Sequence, residues 1–214
     1  TVDDAMEVLV EEDTEDIEKM AAILPTDKPY LKTGVLETFK KRIPWLLILM
    51  ISATFTGRII AGFEAALAAQ AVLISFIPML MDTAGNTGSQ SSVTVIRSLS
   101  LNELQFKDWL RVVWKEIRVA VLCGIVLAVA NFLKILLIDN LLLNAQISLA
   151  VAAVVCLTLC STVLVAKTVG CVLPMLAKKI GFDPAVMASP FITTIVDAIS
   201  LLIYFAIAII ILNL

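Results

Sequence analysis

The sequence contains no histidine and only four cysteines among its 214 residues. All four cysteines lie inside apolar runs, where small apolar packing is their usual role and disulfides are rare; they are Cys123, Cys156, Cys160 and Cys171. Cys156 and Cys160 would share a helix face, but without imidazole ligands we do not expect a soft-metal site. The first 40 residues also lack a basic start followed by an apolar run, so no signal peptide is predicted.

Basic residues are scarce at the amino end of the chain. Nine of the 19 acidic residues fall in residues 1–23, where Lys19 is the only base, and the remainder has ten acids and fifteen bases. Acidic residues and apolar residues recur there at helical spacing, which is typical of an exposed helix at the end of a cytosolic domain. Because the chain begins with Thr, we expect an earlier part of the polypeptide to precede it.

Apolar residues, by contrast, make up 60% of the chain, and its mean hydropathy is +0.98. A soluble domain is about 45–50% apolar, so the excess predicts contact with a lipid bilayer. Five segments reach the length of about 20 residues that crosses ~30 Å of hydrocarbon. They are residues 44–63, 65–99, 112–138, 147–176 and 185–214. The predicted fold class is therefore all-α, a polytopic membrane protein with five transmembrane helices per subunit.

Basic residues flank these predicted spans on one side only, which indicates the orientation. They are Lys40, Lys41, Arg42, Arg97, Lys107, Arg111, Lys115, Arg118, Lys178 and Lys179. The alternate connections, around Glu64 and at residues 138–146, have no Lys or Arg. We therefore expect a multi-pass protein of the cell (inner) membrane with its amino end cytoplasmic and its carboxyl end outside.

Five ionisable residues fall within the predicted spans, where charge is costly and usually functional. They are Arg58, Asp82, Lys134, Lys167 and Asp197. Arg58 and Lys134 are near outer helix ends, so their long side chains can reach the interface. Lys167 could reach the interface or form a buried ion pair.

Asp197 is predicted near the middle of the fifth span, too deep for a short carboxylate to reach water. Thr193 and Thr194 are close to it in sequence, and Pro190 would free a backbone carbonyl one turn earlier because proline has no N–H. Such an oxygen-only site suits a hard cation such as Mg²⁺ or Ca²⁺. The alternative is a structural ion pair of Asp197 with Arg58 or Lys167.

A polar run, Asp-Thr-Ala-Gly-Asn-Thr-Gly-Ser-Gln at residues 82–90, interrupts the second predicted span. It predicts a broken helix that lines a water-filled path, since non-helical backbone at that depth requires burial or water. Gly85 and Gly88 would also suit close helix packing. Packing does not explain Asp82, Asn86 and Gln90, whose four-residue spacing predicts a polar stripe.

Two long motifs, at residues 78–90 and at residues 183–197 with the following Tyr204 and Phe205, resemble those of the MgtE family of magnesium transporters. Residues 78–90 resemble the signature of the family's second helix. Residues 183–197, followed by Tyr204 and Phe205, resemble its last helix. The acidic stretch and the Arg42-Ile-Pro-Trp45 run resemble the end of its cytosolic region and its connecting helix, so the resemblance extends over essentially the whole chain.

The resemblance implies a homodimer with an ion path along its two-fold axis, lined by the second and fifth helices. It also implies cytosolic regulatory domains of the same polypeptide, including paired CBS domains, that sense Mg²⁺ and close the pore. Residues 1–26 would be the end of such a domain, residues 27–43 an amphipathic plug helix, and residues 44–214 the pore domain.

The resemblance also suggests roles for three aspartates. Asp197 would be the selectivity carboxylate, contributed once by each subunit, and Asp183 would bind Mg²⁺ at the cytoplasmic mouth. Asp82 is a third candidate metal ligand, on the polar stripe. The implied partners are a second copy of the chain and the bilayer, and no nucleic acid is expected.

A cluster of acids at the amino end is a candidate for gating by regulatory Mg²⁺; it comprises Glu11, Glu12, Asp13, Glu15 and Asp16. Like charges repel unless a divalent ion neutralises them. Ion binding could therefore favour one packing of the following helix over another. A solvated acidic face explains the same composition.

The predicted function is Mg²⁺ transport, without enzymatic activity. Mg²⁺ keeps several waters, and two facing carboxylates would hold the hydrated ion weakly enough to release it. Transport of Co²⁺, Mn²⁺ or Ca²⁺, or Na⁺-coupled transport, is the nearest alternative. An intramembrane aspartyl protease would pair Asp82 with Asp197, but its Tyr-Asp and Gly-x-Gly-Asp motifs are absent. A scaffold subunit without transport is a further alternative.

Overall fold

A computed structural model describes residues 2–26, 28–187 and 189–214, and within them every regular element is helical. The all-α prediction is confirmed for these residues. The α-helices are α1 (Val2–Met20), α2 (Val35–Gly62), α3 (Glu64–Ala69), α4 (Ile77–Ser100), α5 (Trp109–Lys134), α6 (Leu149–Lys179) and α7 (Ser189–Leu212). Short 3₁₀ helices at Tyr30–Lys32, Ala71–Phe76, Phe106–Asp108 and Pro184–Met187, and a π-helix at Ile135–Leu142, connect them.

α2 combines the expected plug helix and the first span in one element. The helix begins at Val35 and runs through Pro44 to Gly62, so no boundary separates the two segments at residue 43. Proline removes one backbone donor, which local adjustments of a membrane helix can tolerate. Residues 35–43 of the predicted amphipathic segment are therefore the first part of a 28-residue helix, and Tyr30–Lys32 forms a separate 3₁₀ turn before it.

The interruption predicted at residues 82–90 is wrong in position, because α4 is continuous through them. The chain breaks earlier, at Gln70 and the 3₁₀ turn Ala71–Phe76, between α3 and α4. The hydroxyl of Tyr204 donates to the carbonyl oxygen of Leu73 in that turn at 2.9 Å. Leu73 and Phe76 of that turn are buried, whereas Ala71, Ile74 and Ser75 are exposed. Glycine inside a helix costs only about 1 kcal/mol, which packing can offset, so Gly85 and Gly88 do not interrupt α4.

Four helical segments of the described chain are long and apolar enough to cross a membrane: Val35–Gly62, Phe106–Leu142, Leu149–Lys179 and Pro190–Leu212. α4 has 24 residues, a length of about 36 Å. Its polar residues keep it out of that set. The predicted second span, at residues 65–99, is therefore not among the four segments of the described chain that meet this description.

The core of the membrane domain lies where α4, α6 and α7 pack together. Leu73, Phe76 and Leu80 pack there in one buried cluster with Tyr204 and Phe205. α5 packs on the other side of α6, and Phe63 stacks on Phe205 with ring centroids 4.4 Å apart, which holds the end of α2 against α7. This packing sets α4 and α7 side by side.

Lys134, for which the sequence predicts a side chain able to reach the interface, forms an ion pair at the end of α5. Its Nζ lies 2.8 Å from Oδ2 of Asp139 and 5.4 Å from the centre of the Phe76 ring. The π-helix that follows α5 explains the pair, because an i→i+5 bonding pattern aligns residues five positions apart.

Candidate cation site

Asp197 faces α4 from α7, eight residues, or about 12 Å, beyond the first residue of its helix. A Cβ atom placed on Gly85 would lie 3.6 Å from Oδ1 of Asp197. That oxygen is buried and has no hydrogen-bond partner. A buried carboxylate oxygen without a donor is costly, so such an atom calls for an ion or a water as its partner.

Asp82 of α4 lies within electrostatic range of Asp197. Its Oδ1 accepts a hydrogen bond of 3.0 Å from Nδ2 of Asn86, one turn later on the same face. Two neighbouring carboxylates repel each other, and a cation between or beside them relieves that repulsion. The helix packing therefore brings together two of the three predicted metal ligands.

The ion pair considered as an alternative for Asp197 is not formed. Nζ of Lys167 lies 3.6 Å from Oε2 of Glu116 and 3.3 Å from Oγ of Ser91. Of the two possibilities for Lys167, contact with the interface or a buried ion pair, the structure shows the buried ion pair. Arg58 is exposed on α2, and within the described chain no basic side chain forms a salt bridge with Asp197.

Pro190 does not free a carbonyl beside Asp197, contrary to the prediction. Pro190 lies in the first turn of α7, where a backbone N–H has no acceptor within the helix, so the lack of an N–H leaves no carbonyl of the helix unpaired. The carbonyl oxygen of Pro190 instead accepts hydrogen bonds from the hydroxyls of Thr193 and Thr194, at 3.0 and 3.1 Å. The threonine hydroxyls therefore bond to the backbone of their own helix.

The polar stripe on α4 is present as its spacing predicts. Asp82, Asn86 and Gln90 are all exposed on one face of the helix. Gly85 and Gly88 are buried: a Cβ atom on Gly85 would lie 2.9 Å from Thr193 and one on Gly88 2.9 Å from Ile192. Helix packing, the alternative weighed for this motif, accounts for the two glycines but not for the stripe.

Asp183, the third predicted metal ligand, lies in the connection between α6 and α7. Nζ of Lys19 lies 2.6 Å from its Oδ2, and the backbone N–H of Ala185 donates to its Oδ1 at 2.9 Å. Burial raises the pKa of Asp183, but these two hydrogen bonds outweigh it and hold the pKa below its usual range. Hydrogen bonds to Asp183 and Glu15 raise the pKa of Lys19.

The five acids predicted to act in gating separate into two groups. Glu11, Glu12 and Asp13 are exposed on α1. Glu15 bonds to Lys19 at 2.5 Å, and Asp16 accepts a 3.3 Å hydrogen bond from Ser100 of α4. Their role in gating stays a prediction.

No group of three or more cysteine or acidic side chains is arranged to hold a metal ion in the described residues. Asp82, Asp183 and Asp197 therefore do not converge on one site within a single copy.

Sequence reasoning missed two residues. Lys19 was visible only as the single base among nine acids, and Glu116 only as an acid between Lys115 and Arg118. Both are partners of residues that the prediction did single out, Asp183 and Lys167. The sequence alone does not show which side chain pairs with Asp183 or with Lys167.

A family model described as a divalent cation transporter matches residues 77–207, which run from the start of α4 into α7 and include both aspartates of the site and the stripe. The chain belongs to the MgtE family. The family resemblance of the two motifs is thus confirmed.

Three curated MgtE relatives support this assignment. Proteins named magnesium transporter MgtE are 37% identical in Thermus thermophilus, over 208 residues, and 36% in Bacillus subtilis, over 212 residues. A third, from Enterococcus faecalis, is 33% identical over 208 residues. Each alignment covers 97% of this chain and 44% of the relative, so the chain spans less than half the length of these proteins.

Proposed function

We propose that this chain forms the membrane pore of a Mg²⁺ transporter, in which two copies meet so that α4 and α7 line the ion path. The observation that carries the proposal is the Oδ1 atom of Asp197, buried between these helices without a hydrogen-bond partner and beside Asp82. Membership of a family described as divalent cation transporters supports the same reading.

The chemistry of the site favours a hydrated hard divalent cation as cargo. The only charged groups brought together there are two carboxylates of the described chain, and neither cysteine nor histidine takes part. Mg²⁺ is usually held by one or two carboxylates while it keeps several waters. The Asp197 carboxylates of two copies, facing each other, would hold the ion weakly enough for it to leave again.

The exposed stripe on α4 supports a second copy as the partner. Asp82, Asn86 and Gln90 are exposed on the surface of one chain, and lipid could not satisfy polar groups there. A two-fold related α4 would cover the stripe and enclose a wet path between the copies. The distribution of basic residues supports a cytoplasmic position for the amino end of the chain, with α1 and Asp183.

The proposal predicts that Asp197→Asn reduces Mg²⁺ flux at least about 10-fold. The change keeps the shape of the side chain and removes its charge. A tenfold change in flux corresponds to about 1.4 kcal/mol. At low dielectric, the attraction between a carboxylate and a divalent ion across one water layer is larger than this. The measurement is Mg²⁺ uptake by proteoliposomes containing the full-length protein.

Glu103→Gln is the matched control, because Glu103 is exposed in the connection between α4 and α5 and loses the same charge. Its flux should equal that of the wild type. Near-normal flux in Asp197→Asn would reject the site. The same vesicles, offered Mn²⁺, Co²⁺, Ca²⁺ or a Na⁺ gradient, test the other cargoes, and an absence of any flux would favour a scaffold.

A further inference from the structure

Three helices contribute to a polar network near the cytoplasmic half of α4. Oγ of Ser91 donates to Oε2 of Glu116 at 2.7 Å, and Nζ of Lys167 donates to Oγ of Ser91 at 3.3 Å. Nζ of Lys167 lies 3.6 Å from Oε2 of Glu116, and the two side chains are only 7% and 13% exposed. The network therefore holds one buried charge of each sign side by side.

The network forms part of the wall of a groove of about 860 Å³. Asn86, Gln90 and Thr94, which continue the polar stripe of α4 at four-residue spacing, line the same groove. Under the function proposed above, on which this inference rests, the stripe faces the ion path. Glu116 and Lys167 then lie beside that path, on its cytoplasmic side of Asp82.

The charges of Glu116 and Lys167 would have opposite effects on a passing cation if either stood alone. An unpaired carboxylate in a region of low dielectric attracts a divalent ion strongly and slows its release, whereas an unpaired ammonium repels it. A close pair presents almost no net charge to the groove. Conduction requires that binding along the path stay weak, so the pair suits a wall that the ion passes.

The ion pair of Glu116 and Lys167 is not explained by a gain in the stability of the fold. A buried ion pair is often no more stable than apolar residues of similar volume, while removal of one partner leaves a costly unpaired charge. The amides and hydroxyls of the stripe already make the groove polar without charge.

We propose that Lys167 is a tethered counter-ion that keeps Glu116 from capturing the transported divalent cation. Glu116 is then a latent cation site in the wall of the groove, and Ser91 positions its carboxylate toward the ammonium. The pair sets how fast divalent cations pass rather than which ion enters.

The test compares Lys167→Met, Glu116→Gln and the double variant in the full-length protein, with Mn²⁺ as the probe. The readouts are the Mn²⁺ concentration that half-blocks Mg²⁺ flux in proteoliposomes and direct Mn²⁺ binding in detergent by electron paramagnetic resonance. Lys167→Met should tighten Mn²⁺ binding and block on the order of 10-fold, because it exposes the Glu116 charge. Glu116→Gln should weaken both, and the double variant, which has neither charge, should return both toward the wild-type values.

Shifts in opposite directions separate this role from a structural one, which would move both single variants the same way. Lys167→Arg keeps the charge and should restore wild-type block. Lys115→Met removes a positive charge one position from Glu116, at an exposed residue that does not line the groove, and should leave Mn²⁺ block unchanged. Unchanged Mn²⁺ binding in Lys167→Met, or equal shifts in both single variants, would overturn the proposal.

Failure of this inference is distinguishable from failure of the proposed function. If the wild type transports Mg²⁺ and Asp197→Asn does not, equal shifts at positions 116 and 167 reject only the counter-ion role. If the wild type transports no Mg²⁺, the proposed function fails, and Mn²⁺ binding in detergent still decides whether Lys167 masks Glu116.

Discussion

Gly88 and Gly170 allow the backbones of α4 and α6 to touch. A Cβ atom on Gly170 would overlap the carbonyl group of Gly88, and one on Gly88 would lie 3.3 Å from the carbonyl oxygen of Ala166. In lipid, such close approach of small residues supplies much of the packing between helices. α7 packs against α4 at Gly85. The close contact of Gly88 with Gly170 therefore helps to determine where Asp197 lies.

We expect Gly170→Ala to destabilise the membrane domain by about 1–3 kcal/mol, the usual cost of overpacking. The new methyl group has only backbone to displace, so α4 and α6 must move apart. The measurement is the thermal unfolding midpoint in detergent. Gly57→Ala is the control: nothing lies within 4 Å of a Cβ at that position in α2, and alanine should be neutral or stabilising by up to about 1 kcal/mol. Equal midpoints for the two variants would show that α4 and α6 do not touch as described.

At the scale of elements, α1 is docked on the membrane domain through one base among many acids. Lys19 bonds to Glu15 of its own helix and to Asp183 in the connection before α7. Met20 packs beside Ile96 of α4 and Ala185. Asp16 opposes this arrangement, because burial and the neighbouring charge of Asp183 raise its pKa.

We expect Lys19→Gln to release α1, because Asp183 then loses its cationic partner. Hydrogen exchange of the α1 amides, measured at pH 7 in the full-length protein, should become faster. Lys28→Gln breaks an exposed pair with Glu37 that lies away from this contact, and it should leave the exchange of α1 unchanged. Asp16→Asn should slow the exchange, since its charge is disfavoured in the docked state.

The pH dependence of this contact has a defined sign. The pKa of Asp183 is lowered, so its contribution to docking is present above about pH 4 and is lost as the pH falls through the lowered pKa. The pKa of Lys19 is raised, so its contribution is lost only as the pH rises through that raised value. Asp16 works in the opposite direction, because its raised pKa means that acid removes a charge disfavoured in the docked state. The test therefore uses Asp16→Asn protein, in which tighter docking under acid than at pH 7 would contradict the role of the Lys19–Asp183 pair.

Periodicity predicts the faces of these helices better than it predicts their breaks and partners. The four-residue spacing of Asp82, Asn86 and Gln90 correctly placed them on one face of α4. The break was assigned to their polarity, yet it lies at Gln70–Phe76, where Tyr204 accommodates it from a distant part of the chain. Lys167 likewise required a partner, and its choice of Glu116 over Asp197 depends on how α5 and α6 pack. Such long-range choices are not encoded in local spacing.

At the scale of the whole molecule, the surface of one copy carries two kinds of membrane-facing area. Val126 on α5 and Leu157 on α6 represent the apolar kind, exposed as lipid-facing residues are. The stripe on α4 represents the polar kind, and lipid cannot satisfy it. A dimer in which the stripes face each other resolves this difference, and water between the copies would reach positions 82, 86 and 90 but not position 126.

We therefore expect a cysteine at position 86 to behave as a residue of a wet, two-fold interface. In full-length protein with Cys123, Cys156, Cys160 and Cys171 replaced by alanine, Asn86→Cys should react with a charged, water-soluble thiol reagent, and a short bis-maleimide should link two copies. Mg²⁺ at saturating concentration should slow the reaction, because the ion occupies the same path. Val126→Cys in the same background should neither react nor link. Reaction at position 126 as fast as at position 86, or the absence of a linked pair at position 86, would show that the stripe does not line a pore between two copies.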